Sequence, residues 1–213
     1  MPEPREEPVN VYDPQGRVVG VMPRAEAKRS GLAVGAVNVL LVSARGEVLL
    51  QRRPEDKENG ARWDKTVGGH VDAGEEFDAA AAREAGEELF GDAASPRVRL
   101  AGDEADFERL LGEADLAREV LFRREALQLN LRDVRLAPGG SAIRNVVYHV
   151  AIYLGRTDVP LDGFAPQAEE IAGLRYARPA EVDAMLIRGE LAPNMAFLWL
   201  TRARTLLGLA GGS

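Results

Sequence analysis

The 213-residue chain contains no cysteine and only two histidines, His70 and His149. Without a thiol there is no disulfide, no thiolate metal site and no cysteine nucleophile, which excludes several enzyme classes together. No apolar run reaches the roughly 18 residues that a membrane-spanning helix requires, so no such span is expected. The opening residues, Met1-Pro-Glu-Pro-Arg-Glu-Glu7, lack the basic start and apolar stretch of an export signal, and a cytoplasmic setting is the expectation. Positive charge is also scarce, with 27 Lys and Arg against 34 Asp and Glu. The resulting net charge of −7 disfavours a general binder of nucleic acid or of membrane surfaces. A small-molecule partner is the remaining expectation.

A hydrophobic content of 46% is enough for one core. Residues 1–8 are polar and rich in Pro and Glu, and read as a disordered tail before a single domain over 9–213. Val9–Tyr12 and Arg17–Val21 flank Asp13-Pro-Gln-Gly16 and read as a β-hairpin, followed by a brief helix over Arg24–Ser30 that Gly31 stops. Strands are expected at Ala36–Val42 and Glu47–Gln51, then a charged loop over Pro54–Arg62. Glu75–Leu89, with four alanines at 79–82, is the clearest helix, and Gly91 is placed to end it in a left-handed cap. Leu110, Leu111, Leu116, Val120 and Leu121 recur at roughly helical spacing, so 95–125 reads as a helical insertion. Strands at Asn145–Leu154 and Leu174–Ala177 and helices at Pro179–Arg188 and Met195–Leu207 complete an α/β pattern with a mixed sheet between helical layers.

The chemistry is concentrated in Gly69-His-Val-Asp-Ala-Gly-Glu75 and Arg83-Glu-Ala-Gly-Glu-Glu88. On a helix Glu84, Glu87 and Glu88 stand at i, i+3 and i+4 and share one face. Each like-charge pair at that spacing costs roughly 0.2–0.5 kcal/mol, and Arg83 is expected to point off the face. A hard divalent cation would neutralise such a cluster, and Mg²⁺ commonly bridges a few carboxylates to substrate phosphates. Gly86, inside the helix, costs about 1 kcal/mol against alanine without an evident reason.

These residues resemble the Nudix box: Gly, five residues, Glu, seven residues, Arg-Glu, an aliphatic, any residue, Glu-Glu, any residue, Gly, aliphatic. Gly69, Glu75, Arg83, Glu84, Glu87 and Glu88 match in register. With each residue type near ~7% of average composition, six matches at a given start arise by chance about once in ten million trials. The departures are Ala85 as a small aliphatic and Phe90-Gly91 at the end, which places the glycine one position late. The resemblance implies an α/β/α sandwich with the hairpin as an N-terminal extension. It also implies hydrolysis of a diphosphate linkage with Mg²⁺, Mn²⁺ being a substitute. By it, the Gly68 carbonyl, Glu84, Glu87 and Glu88 ligate metal, Arg83 and Glu75 brace the loop, and Glu84 is a candidate base. Glu170 after a Pro- and Gly-rich loop is a further candidate acid, with a solvated loop glutamate as the plain alternative.

Over about 9–91 and 145–185 the sequence is similar to the isopentenyl-diphosphate isomerase branch of that superfamily. Those isomerases carry a cysteine immediately before the box glycine and a largely histidine metal site. Here that place is Gly68, and His70 and His149 are too few to rebuild the site. The resemblance therefore implies a hydrolase site on an isomerase-like scaffold. Isomerase-like activity and a non-catalytic ligand sensor are the rival readings. Arg52, Arg53, Lys57 and Lys65 are candidates to meet substrate phosphates, although strand alternation lets at most one of the two arginines face the pocket; His70 is a candidate to ligate metal or touch substrate, with a loop histidine hydrogen-bonded to backbone as the plain alternative. Trp63 is read either as a stacking platform or as a loop anchor, and His149 as a strand residue facing the open side of the sheet. A small diphosphate is the expected partner, with room for a homodimer and no role for nucleic acid or membrane.

Overall fold

A computed structural model describes residues 8–136 and 143–204. Its centre is β3 (Ala33–Val42), buried at every position. On one side it pairs in parallel with β9 (Ile143–Arg156). On the other it pairs antiparallel with β6 (Val67–His70), with the end of β4 (Val48–Arg52), and with β1 (Pro8–Tyr12). A strand covered on both faces has no reason to alternate polar with apolar, and Ala33-Val-Gly-Ala-Val-Asn-Val-Leu-Leu-Val42 does not. The sheet runs β10 (Gly173–Ala177), β4, β3, β9, β8 (Val120–Leu136), β7 (Val98–Ala101). Parallel β3–β9 and β7–β8 pairs make it mixed, as the sequence reading expects.

Alternation within β3 divides the core between two faces. Val34, Ala36 and Leu40 pack toward α4 (Pro179–Ile187) and α5 (Pro193–Leu198), through Val182, Met185, Met195 and Trp199. Val37, Val39 and Leu41 pack toward α2 (Phe77–Phe90), through Ala80, Ala81, Ala85 and Leu89. The small residues of α2 let the helix lie close to the sheet, and Ala85, a departure from the motif's aliphatic, is fully buried there. The hairpin of β1 with β2 (Val18–Pro23) and the short α1 (Arg24–Ser30), stopped by Gly31 at φ 79, match the sequence reading.

Three segments differ from it. The expected helical stretch 95–125 holds one helix, α3 (Glu104–Leu111), between β7 and the start of β8. Val120, Leu121 and Phe122 are fully buried strand residues, while Leu110, Leu111 and Leu116 pack beside Ala101, Phe107 and Leu121. Apolar spacing alone fits either element there, because the part of β8 inside that stretch opens on three consecutive buried residues, Val120–Phe122, with no period of two. The final helix begins at Pro193 and widens into a π-turn over Trp199–Ala203, and its expected end at 205–207 lies outside the described residues. So do residues 1–7 of the expected tail, whereas Pro8 already belongs to β1. Among the described residues no helix is long and apolar enough to cross a membrane.

Candidate active site

The acids sit on α2, and the loop that leads into it from β6 is fastened at several points. Glu75 N–H donates to Asp72 O at 3.1 Å, Asp72 N–H to Glu75 Oε2 at 3.1 Å, and Gly74 N–H to Asn10 Oδ1 at 3.1 Å. Gly74 takes φ 78, which favours glycine. Arg83, on α2, donates to both Glu75 oxygens at 2.9 Å and to the His70 carbonyl at 3.1 Å, so one guanidinium ties the helix to both ends of the loop. Burial pushes the Glu75 carboxyl upward, but the Arg83 and Asp72 hydrogen bonds outweigh it and hold the group below the usual carboxylate range. The Glu75 bond in turn raises Arg83 above its ordinary value. The pair is a charged brace.

Arg83 also corrects the expectation that it points away from the carboxylate face. Its Nη1 lies 3.0 Å from Glu84 Oε1 and 3.0 Å from Glu87 Oε2. The side chain is long enough to fold back across a face that its own Cβ does not share. Glu87 is therefore paired in this state, whereas Glu84 and Glu88 turn inward. Glu88 Oε2 accepts Gly68 N–H at 3.1 Å and Gln51 Nε2–H at 3.3 Å. Burial pushes Glu88 up to about 8, with Glu84 adding repulsion. Burial likewise drives Glu84 up to about 7, against the pull of Arg83. A Cβ at residue 69 would stand 1.9 Å from Glu84 Cδ, so the box glycine leaves the room that the Glu84 carboxylate fills.

Glu84, Glu87, Glu88, Gly68 and His70 line one cleft of about 1250 Å³. Of the two arginines only Arg53 lines it; Arg52 is exposed on the alternate side of β4, so it is not brought to the site. Arg53 is oriented by Glu58 O, 2.7 Å from Nε, and by Asp64 Oδ2, 3.4 Å from Nη1. Lys65 also lines the cleft, although it is buried. Glu170 reaches the same cleft but pairs with Lys57 at 3.0 Å instead of joining the helix acids. Among the described residues no three Asp, Glu or His side chains form a ready metal cluster. Trp63 packs against the main core and its backbone is held by Glu190 and Ala192, which makes it an anchor. His149 is buried, not on an open face: Asn130 N–H donates to Nδ1 at 3.0 Å and Nε2 lies 2.8 Å from Asp13 O, joining the hairpin turn to β8 and β9.

Sequence reasoning missed Arg24, Lys28 and Arg29 of α1, which face the cleft together with the α2 acids. Their local signal is only a basic stripe on a seven-residue helix, which tertiary packing alone can place.

A strand carrying two glycines, a braced loop and a helix bearing three glutamates define an α/β domain with an acid-lined cleft. The chain belongs to the Nudix family: the NUDIX domain model matches residues 32–196. It is 35% identical over 181 residues to the isopentenyl-diphosphate Delta-isomerase of Nocardia farcinica, covering 84% of this chain and 83% of that protein. An uncharacterised Nudix hydrolase of Pseudomonas aeruginosa is 42% identical over 78 residues, which is 36% of this chain and 46% of the relative, so the chain spans about half of that protein's length. A crystal structure from Deinococcus radiodurans has the same fold at a TM-score of 0.63 and 22% identity, covering 93% of this chain and all of that one.

Proposed function

We propose that the chain is a Nudix-type pyrophosphohydrolase that cleaves a phosphoanhydride in a nucleoside-diphosphate-type or related organic diphosphate, with Mg²⁺ as cofactor and Mn²⁺ as a substitute. The observation that carries this reading is the convergence of Glu84, Glu87 and Glu88 on one cleft with Gly68 and Gly69 of β6, where Glu84 fills the space a side chain at 69 would take and Glu88 accepts the Gly68 N–H. Arg83 reaches Glu84 but is divided among four acids, and Glu88 has Lys65 as its nearby cation; the donors are all oxygen, which suits a hard divalent cation. Glu84, Glu88 and the Gly68 carbonyl would hold it, with Glu87 joining once released from Arg83. When bound, such a cation polarises phosphoryl oxygens and lowers the pKa of a bound water.

The chain's own residues account for the rest. Arg83 and Glu75 keep the loop and helix in one geometry, so that the acids need not reorganise during the reaction. Arg53 and Lys57 bring positive charge to the cleft for substrate phosphates, and Glu84 is the candidate to accept a proton from the attacking water. The test is a screen of organic diphosphates with Mg²⁺ or Mn²⁺, following phosphate and pyrophosphate release, on parent and Glu88→Gln proteins. Turnover by the parent that survives in Glu88→Gln refutes the site.

The similarity to the Nocardia isomerase favours a second reading, allylic isomerisation. Two features oppose it. Position 68 has no side chain to move a proton, and His70 and His149 are held in different places, the latter between backbone groups.

A further inference from the structure

Gly68 is bounded by a neighbour that the hydrolytic reading leaves without a defined role. A Cβ at residue 68 would stand 2.2 Å from Lys65 Cε and 2.7 Å from Lys65 Nζ. The lysine thus fills the space that any side chain at 68 would take. Its side chain is only 4% exposed, yet it lines the cleft with Gly68, Glu84 and Glu88. Burying an ammonium is expensive unless it is paired, and Lys65 Nζ lies 3.2 Å from Asp64 Oδ1. That partner is shared, because Asp64 Oδ2 also meets Arg53 Nη1 at 3.4 Å. Lys65 also acts on the buried Glu88 carboxylate, so its ammonium stands between Asp64 and Glu88 at the cleft wall beside the glycines of β6.

We infer that Lys65 is a catalytic residue, its ammonium contacting the departing phosphate of the substrate, and that residue 68 is glycine to make room for it. The inference rests on the diphosphate-cleaving reading above. In that reaction a water oxygen forms the new bond to phosphorus. The bridging P–O bond breaks, its electron pair goes to the leaving phosphate, and the water proton passes to a carboxylate or to solvent. Lys65 stays protonated throughout and stabilises the charge that develops on the leaving oxygen. A fixed cation placed there needs no reorganisation when that charge appears.

The experiment compares parent, Lys65→Met, Lys65→Arg, Gly68→Ala and the Lys65→Met/Gly68→Ala double variant. Each is assayed on two diphosphates whose leaving groups differ in basicity, with thermal melts alongside. Lys65→Met should lower kcat by about 10²-fold or more, the scale of losing one preorganised donor, with a smaller change in KM. The loss should be greater for the more basic leaving group, and Lys65→Arg should recover part of it. Gly68→Ala keeps the backbone carbonyl and displaces only the flexible end of Lys65, so it should fold and lose kcat similarly. The double variant should be no worse than either single change. Should Lys65→Met fail to fold because Asp64 loses a partner, Asp64→Asn/Lys65→Met restores the charge balance and should still be slow. Parent-like kcat in Lys65→Met, in Gly68→Ala or in the Asp64→Asn/Lys65→Met pair overturns the assignment. So does a loss independent of the leaving group and matched by a higher Mg²⁺ requirement, which would make Lys65 a positioning residue for Glu88. A parent that cleaves no diphosphate removes the underlying reading as well, whereas an active parent with an active Lys65→Met removes this inference alone.

Discussion

Replacing Gly86 with alanine should destabilise the protein, although helix propensity says the opposite. Alanine inside a helix is favoured over glycine by roughly 1 kcal/mol. At this position, however, the added Cβ would stand 2.3 Å from the carbonyl oxygen of Asp92 and 3.1 Å from that of Ala93. Those atoms are backbone, in the segment that turns back over the helix after Gly91, where φ 68 ends α2. The return is fixed by Gly91 N–H to Glu87 O at 3.0 Å and Asp92 N–H to Gly86 O at 3.1 Å. Relieving the contact means moving the helix exit by about 1 Å, with an overpacking penalty of typically 1–3 kcal/mol and about 1 kcal/mol more if the Asp92 hydrogen bond is lost. Net of the propensity gain, and with that hydrogen bond lost, the loss is about 1–3 kcal/mol. In a domain of this size that is a fall in Tm of roughly 2–12 °C. Calorimetry or a denaturant titration of parent and Gly86→Ala measures it, and a variant as stable as the parent, or more stable, refutes the close-approach argument. The late glycine of the motif and the glycine inside the helix then share one cause, a tight exit that holds Glu87 and Glu88 against the loop.

Glu87→Gln and Glu88→Gln should each lower turnover by about two orders of magnitude or more, while Glu88→Gln leaves Tm unchanged or raised because a neutral amide replaces a group whose ionisation burial opposes; parent-like turnover sinks the carboxylate site. In EDTA, Tm should fall as pH rises from about 5 to about 8. The folded Glu84 and Glu88 keep protons up to about 7 and about 8 that the unfolded chain releases near 4.5, so this stability is present at low pH and lost on the way up. The slope is at most about 1.4 kcal/mol per pH unit for each group, and a flat or rising profile contradicts it. Incubation with isopentenyl diphosphate and Mg²⁺ in deuterated water should leave no carbon-bound deuterium in any dimethylallyl product, and catalytic incorporation would favour the isomerase reading.

What was legible in the sequence was what neighbours along the chain decide. Helix α2, its left-handed stop at Gly91 and the hairpin follow from spacing, turn residues and capping within about 20 positions, while the Glu75–Arg83 brace follows from the motif resemblance. The unread parts depend on contacts between distant segments. Arg83 bends toward Glu84 and Glu87 only because the packed loop leaves its guanidinium there, and Glu170 meets Lys57 across 113 positions of chain. The choice of Arg53 over Arg52 follows from which face of β4 meets the cleft, a fact of sheet packing. Strand β8 was hidden for a third reason: it opens on three consecutive buried residues, Val120–Phe122, a short apolar run whose period fits helix and strand alike.

The charge balance around Arg83 links these features to a dependence on cations. One guanidinium stands within 3.5 Å of Asp72, Glu75, Glu84 and Glu87. Glu75 takes two of its five N–H donors at both oxygens, so the brace has first claim and the remaining acids share what is left. Glu84 and Glu88 cannot both ionise at little cost in that setting, and protonation or a bound cation are the two ways to relieve them. Above about pH 8 protonation no longer serves, and a cation is the remaining remedy. A site arranged in this way should gain more stability from Mg²⁺ at pH 8 than at pH 5.5, because at the lower pH the ion must first displace protons. The two glycines of β6 give the arrangement its polarity: Gly69 admits the Glu84 carboxylate on one side, and Gly68 admits the Lys65 ammonium on the other. Successive positions of a strand face opposite ways, so two adjacent glycines let opposite charges approach one stretch of backbone from opposite directions.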